Sequence, residues 1–482
     1  MTQYNIFTAG IFNGTEANDQ FLVDVVQPMA DVVINAGGGN NTVTVKRSPK
    51  ATIQSFNGND HVIVNNSGIL IIDAGEGKNT IDITDTRTAK IIAGTGNDKI
   101  KFTGSEVNID AGEGNNHITA FVKNNGTIRS GWGNDTISLT GSFRDNLNIN
   151  AGGGVNRITI AKGGKVEVIT AEGKDLIKIS DVNDLMLNAG EGNNILQILG
   201  AKQSQITTGS GNDVIVIKSS ELTSSAKSSI NAGEGKNVVD TSAFDSEVNS
   251  GSGDDVIRAF SYQAIVNSGG GNDRVSVKGR FVQANVGEGN NLVDISGDYA
   301  SVKAGAGNDI IRVSSGFSII DAGEGNNQIN VLNGAGFHRI KTGAGNDFVV
   351  MNGSGSLDLG EGNNFIQVNN DVLYGNVLQI SAGWGKDVFS LGKTRGTVII
   401  EGYDNKDKIS LQSLAGVIVQ QDGADVKILD GDRLTVTVKN TRSNDIHLAV
   451  GLTRPLSSVL QDPFNARMPL AIAQQLNSDP WV

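Results

Sequence analysis

Between residues 32 and 391 the phrase Gly-x-Gly returns at intervals of mostly 18 or 19 residues, and a period this regular must be read before any division into ordinary domains. The second glycine of the phrase, or the single glycine in its place, falls at 39, 58, 77, 96, 114, 133, 154, 173, 192, 211, 235, 253, 271, 289, 307, 325, 345, 362 and 385, which makes nineteen loops, with Phe56 and Ala171 standing for the first glycine in two of them. Longer steps, such as the one containing SSELTSSAKSS (219–229), add polar residues midway between loops. Insertions that leave both flanking loops intact belong on the opposite edge of the fold.

After each loop the apolar residues alternate, as in NTVTV (41–45), DHVIV (60–64), NTIDI (79–83), DTISL (135–139) and NQINV (327–331). Period two predicts β-strands whose inward residues are Val43 and Val45, Val62 and Val64, Ile81 and Ile83, Ile137 and Leu139, Ile329 and Val331. A single coil cannot bury such a row, whereas stacked neighbours can. The predicted fold is all-β: a parallel β-solenoid or β-roll of about twenty coils of 18–19 residues, with small terminal caps. At a strand spacing of roughly 4.8 Å it would be a rod on the order of 95 Å long. Glycine supplies 63 of 482 residues, about twice the usual ~7%.

The ends are predicted to differ from the middle. Residues 1–31 carry a degenerate loop, GTEAND (14–19), and read as an N-terminal cap, with the solenoid over 32–391. Residues 392–450, with hairpin signals at Asp422-Gly423 and Asp430-Gly431, read as a C-terminal β cap. Residues 451–482 form a tail with helical character around PLAIAQQLN (469–477). Open solenoid ends invite end-to-end self-association, which a closing cap would block.

Composition narrows the chemistry. With no cysteine, the chain has neither disulfides nor thiolate metal sites. No apolar run is long enough to span a membrane, and the N-terminus lacks the basic and apolar blocks of a cleavable signal. The net charge of −12 argues against nucleic acid as a partner and for cations. His61, His117, His338 and His447 are scattered, no G-x-S-x-G occurs, and the Gly-x-Gly phrases lead into strands rather than helices, so no enzyme is expected. Outward positions such as Thr42, Thr44, His61, Ile63, Lys99 and Lys101 are too mixed for an ice-binding threonine array.

GTGND (94–98), GSGND (209–213) and GAGND (305–309 and 343–347), each followed by x-h-x-h with an apolar residue h at every second place, resemble the RTX (hemolysin-type) calcium-binding repeat, whose nonapeptide is GGxGxDxUx. IEGYDNKDKISL (400–411) is similar to the segment that closes RTX rolls. The resemblance implies Ca2+ between consecutive loops, held by backbone carbonyls and by Asp60, Asp98, Asp135, Asp175, Asp213, Asp255, Asp273, Asp309, Asp347 and Asp387. It also implies a bacterial protein secreted without a leader by type I export, with 451–482 as the candidate signal. A cell-surface or host partner would follow, the chain acting as a structural, adhesive or host-interaction module.

This chain departs from the pattern in keeping one glycine loop per coil and in interleaving the aspartates with Asn41, Asn79, Asn116, Asn156, Asn194, Asn237, Asn291, Asn327 and Asn364. The alternation slips once, at Asp255 and Asp273. Seven Asn loops carry Glu between the glycines: Glu76, Glu113, Glu191, Glu234, Glu288, Glu324 and Glu361. A residue there faces either the ion or solvent. Lys78, Lys174, Lys236 and Lys386 could serve as local cations in place of calcium. The competing reading is a metal-free Asn/Asp ladder in a leaderless effector or partner-binding scaffold, since both residues tolerate left-handed turns.

Overall fold

In the computed structural model the described residues are 2–27, 31–142, 146–219, 226–332, 336–369, 377–391 and 394–454. The chain is a parallel β-solenoid of about twenty coils, and it divides into two compact units, Met1–Gly233 and Glu234–Val482. Each coil sends one strand out from its glycine loop, turns at a second corner, and returns along a second strand.

In the first unit Ile81 stands in register with Ile100, Ile118, Ile137, Ile158, Ile177, Leu196 and Ile215 in successive coils. All eight are at most 1% exposed. Each such side chain contributes about 1.5–3 kcal/mol of burial, obtained only when a neighbouring coil covers it. The inward residues expected from the alternation, Val43 to Leu139, all lie in this core. Non-glycine residues with left-handed backbone, Asn66, Asp85, Lys162 and Asp181, make the second corner.

The second unit repeats the scheme with Ile257, Val275, Val293, Ile311, Ile329, Val349, Ile366, Phe389 and Ile409 as one buried column.

Stacking begins before the first glycine phrase and continues past the last. Thr2–Ile6 pairs in parallel with Asp19–Asp24, and the rings of Tyr4 and Phe21 stack 4.6 Å apart. Beyond residue 391, where the repeat was expected to stop, Gly396–Glu401 and Lys408–Leu411 still pair in parallel with Val377–Ser381 and Val388–Ser390. The two predicted hairpins follow: Val417–Asp422, Asp425–Asp430 and Leu434–Val438 form an antiparallel meander whose last strand lies parallel to Gly396–Glu401. The predicted helical stretch at 469–477 lies outside the described residues. Among the described residues no helix is long and apolar enough to cross a membrane.

Candidate functional site

The glycine loops hold their shape through backbone conformations that a side chain would strain. Gly75 and Gly77 have φ of +70° and +120°, and a Cβ on Gly77 would stand 2.0 Å from the carbonyl oxygen of Gly58 in the preceding coil. Glycine therefore sits on glycine along the edge. The tight turn aims the residue three places after the first glycine outward, and the next one inward.

That inward residue is the Asp or Asn of the repeat. All ten predicted aspartates and the nine interleaved asparagines are at most 2% exposed. They are joined in a ladder. In the first unit the backbone N–H of Asn41 donates to Oδ1 of Asp60 (2.7 Å), Asp60 to Asn79 (3.0 Å), Asn79 to Asp98 (2.6 Å) and Asp98 to Asn116 (3.0 Å). The series continues through Asp135, Asn156, Asp175 and Asn194 to Asp213. In the second unit it runs from Asn237 through Asp255, Asp273, Asn291, Asp309, Asn327, Asp347 and Asn364 to Asp387. Bonds from Asn loops into aspartates of the second unit are 2.7–2.8 Å, and bonds into its asparagines 2.9–3.0 Å. Shortening of this kind accompanies a charged acceptor.

The two residue types part company at their second side-chain atom. Nδ2 of Asn79 donates to the carbonyls of Gly75 (3.2 Å), Gly77 (3.3 Å) and Ala93 (3.0 Å), the last belonging to the next coil. Asn116 does the same to Gly112, Gly114 and Ser130, and Asn327 to Gly323, Gly325 and Thr342. Three acceptors thus converge on one amide. Because Oδ1 is held the same way in an Asp loop, Oδ2 takes the place of that amide. That station is the one where the asparagine amides meet carbonyls, and in several Asp loops a Ser or Thr hydroxyl, as Ser130 at Asp135 and Thr342 at Asp347, also acts on the carboxyl and lowers its pKa against the effect of burial. Oδ2 of Asp60, Asp98, Asp135, Asp175, Asp255, Asp273, Asp309, Asp347 and Asp387 is buried without a hydrogen-bond partner.

Burial accordingly pushes these carboxyls up. Asp98, Asp135, Asp309 and Asp347 reach about 6, despite hydrogen bonds from the neighbouring coil. Asp255 and Asp387 reach about 7; burial leads, and the charges of Asp273 and Asp407 respectively add to it. Either a cation or a proton resolves such a contact. Among the described residues no group of three or more His, Cys, Asp or Glu could hold a metal ion. A cation here would rest on one carboxylate and several carbonyl oxygens, or on two carboxylates at Asp255 and Asp273. Oxygen-only sets suit calcium.

The loop glutamates do not face this column. Glu76, Glu113, Glu191, Glu234, Glu288, Glu324 and Glu361 are exposed. Oε2 accepts the backbone N–H of the next coil, from Trp132 to Glu113 (2.9 Å), Ser210 to Glu191 (2.7 Å), Ala306 to Glu288 (2.9 Å) and Ala344 to Glu324 (3.0 Å). They are struts on the solvent side, spanning from an Asn loop to the following Asp loop. Lys78, Lys174, Lys236 and Lys386 are also exposed, and Lys236 pairs with the half-buried Asp254 at 2.7 Å. Trp132 and Trp384 face solvent.

Two features are not apparent from the sequence pattern. The Asn preceding the inward residue builds a second, exposed ladder of opposite direction: N–H of Asn59 donates to Oδ1 of Asn40, Lys78 to Asn59, Asn308 to Asn290 and Asn326 to Asn308, each at 2.7 Å. The repeated GN of the phrase is its signal. The inner ladder also extends to Asp19 and Asp407, whose carboxylates have both oxygens satisfied. Asp19 accepts from the N–H of Thr2 (3.1 Å) and from the N–H (2.6 Å) and hydroxyl (2.9 Å) of Thr15. Asp407 accepts from the N–H of Asp387 (2.8 Å) and of Asp404 (2.9 Å).

No protein-family model and no curated protein matches this chain.

Proposed function

We propose that the chain is a calcium-stabilised β-solenoid of the RTX kind, working outside the cell as a structural, adhesive or host-contacting module. The observation that carries this reading is the set of nine buried Oδ2 atoms without a hydrogen-bond partner, at the station where the asparagines of the intervening loops donate to converging carbonyls. In the loop of Asp98 the holding residues would be Asp98 with the carbonyls of Gly94 and Gly96. A bound Ca2+ supplies positive charge and tolerates a large, irregular shell of oxygens; Mg2+ demands a tighter octahedron. The chain's own contribution is to pre-place a carboxylate against carbonyls, an arrangement that favours folding only when the charge is met. The asparagines fill the intervening loops with an amide, so cation sites fall at every second coil except at Asp255 and Asp273, which are consecutive.

The metal-free ladder is the second reading, favoured by the same geometry with a proton on Oδ2 in place of calcium. The two are separated by bound calcium counted in native mass spectra and by melting at pH 8 in millimolar calcium or excess chelator. Calcium retained by the folded chain with a higher melting temperature supports the first; identical melting and no bound metal leaves the second. Secretion through residues 451–482, of which 455–482 lie outside the described residues, is part of the proposal. It is tested by fusing those residues to a reporter in a strain carrying a type I exporter.

A further inference from the structure

Outward positions on the first strand of each coil are exposed or half-buried over much of the second unit, as at Arg258, Arg274, Lys278 and Arg312. Two patches depart from this, one at Val238 and Asp240 and the other further along the unit. Phe348 and Val350 alternate with the core residues Val349 and Met351, so they face outward, yet each is only 2% exposed. Asn330, in register with Val350 one coil earlier, is equally buried. Further along the same outward row, Gln367 is followed by Ser390 and Ser410, both buried.

The chain itself lies on the far end of this row. Ser390 Oγ donates to the carbonyl of Leu452 (2.6 Å), and the N–H of Leu452 donates to Ser410 Oγ (2.9 Å). Two residues later the guanidinium of Arg454 stands over the Phe348 ring, 5.1 Å from its centroid. From a backbone held at Ser390 and Ser410 through Leu452, the Arg454 side chain thus reaches backwards over the coils to residue 348. It arrives at the rim of the buried apolar patch with residues 455–482 still to come. That segment includes Val459, Leu460, Phe464 and the run MPLAIA (468–473).

We propose that residues 455–482 pack on the outward face formed by Asn330, Phe348 and Val350, continuing the backward reach that Arg454 begins. The segment then ties coils together sideways, where the solenoid otherwise links each coil only to its two neighbours. The proposal is independent of calcium.

Because the chain has no cysteine, engineered pairs test it cleanly. In the full-length protein Val350→Cys is combined in turn with Val459→Cys, Phe464→Cys or Leu470→Cys, and disulfides formed under mild oxidation are mapped by peptide mass spectrometry. Reference proteins carry Ser276→Cys, an outward position several coils away, in place of Val350→Cys. At least one pair with position 350 should close within the molecule about tenfold faster than its reference, as a seated segment raises the local concentration. The proposal is overturned if no pair exceeds its reference, if the bonds join two molecules, or if Val350→Cys reacts instead with Tyr374→Cys in the neighbouring insertion. A chain ending at Arg454 should bind more apolar-surface dye, and Phe348→Ser in that chain should remove the excess; no rise in dye binding also overturns it.

Discussion

A carboxylate and an amide have nearly the same shape, and at the inward station of this edge they differ in one atom's sign. Asn79 offers two hydrogens to the carbonyls around it; Asp98 offers none. Asp309→Asn should therefore stabilise the chelated protein, by about 1–2 kcal/mol for one restored buried donor, while removing one bound calcium. Denaturant midpoints in chelator and calcium counts by mass spectrometry check both halves. The reverse change, Asn327→Asp, should destabilise in chelator and be rescued by calcium. The pH dependence has a definite sign. These carboxyls are raised in the folded state, so the native chain holds protons that the unfolded chain releases from about pH 4 upwards. Apo stability is fully present below about 4 and is lost as pH rises through about 6 for Asp98, Asp135, Asp309 and Asp347 and about 7 for Asp255 and Asp387. Melting temperatures from pH 4 to 8 should fall steadily in chelator, and calcium should flatten the upper part of that fall. Stability that rises with pH in chelator would contradict the assignment.

One loop with its strand is the next level, and here glycines divide by what surrounds them. Gly77→Ala drives a Cβ onto a carbonyl and should destabilise by upwards of about 2 kcal/mol. Gly270, between Gly269 and Gly271, has ordinary backbone and open space, with nothing within 4 Å of where a Cβ would stand, so Gly270→Ala should be neutral or slightly stabilising in the same denaturant titration. Glu288→Gln keeps an acceptor for the N–H of Ala306 and should leave both stability, within about 0.5 kcal/mol, and calcium count unchanged. A lost calcium would make Glu288 a ligand rather than a strut. Much of this level was legible in the sequence, because period two places Val43, Ile81 and Ile329 inward and the phase of the loops places every Asp and Asn on one row. The direction of the glutamates was not legible: a residue between two glycines is aimed by backbone dihedrals that composition does not reveal. Asp19 and Asp407 were hidden by the loss of their glycines, and the covered face at Phe348 by FVVM, four apolar residues in a row that erase the alternation.

At the scale of the whole chain the acidic excess has a location. Of 51 acidic residues against 39 basic, ten are the inward aspartates of the glycine loops, and without them the balance is 41 to 39. Whatever meets the charge of that row sets most of the chain's net charge. The row also has a rule of even and odd. Since Asp and Asn alternate, the length that can be added or removed without disturbing the sequence of charges is a pair of coils, 37 residues from Gly77 to Gly114. Deleting residues 290–325 removes such a pair and joins one Asn loop to the next in kind; this chain should fold at nearly the calcium level of the parent. Deleting 290–307 removes one coil and sets Asp309 directly after Asp255 and Asp273, three carboxylates in succession, and its folding midpoint should move to higher calcium. Circular dichroism across a calcium titration distinguishes them. The adjacency of Asp255 and Asp273 is what an odd change leaves behind, so the chain carries at that point a break in parity, and coils on its two sides count evens and odds from different origins.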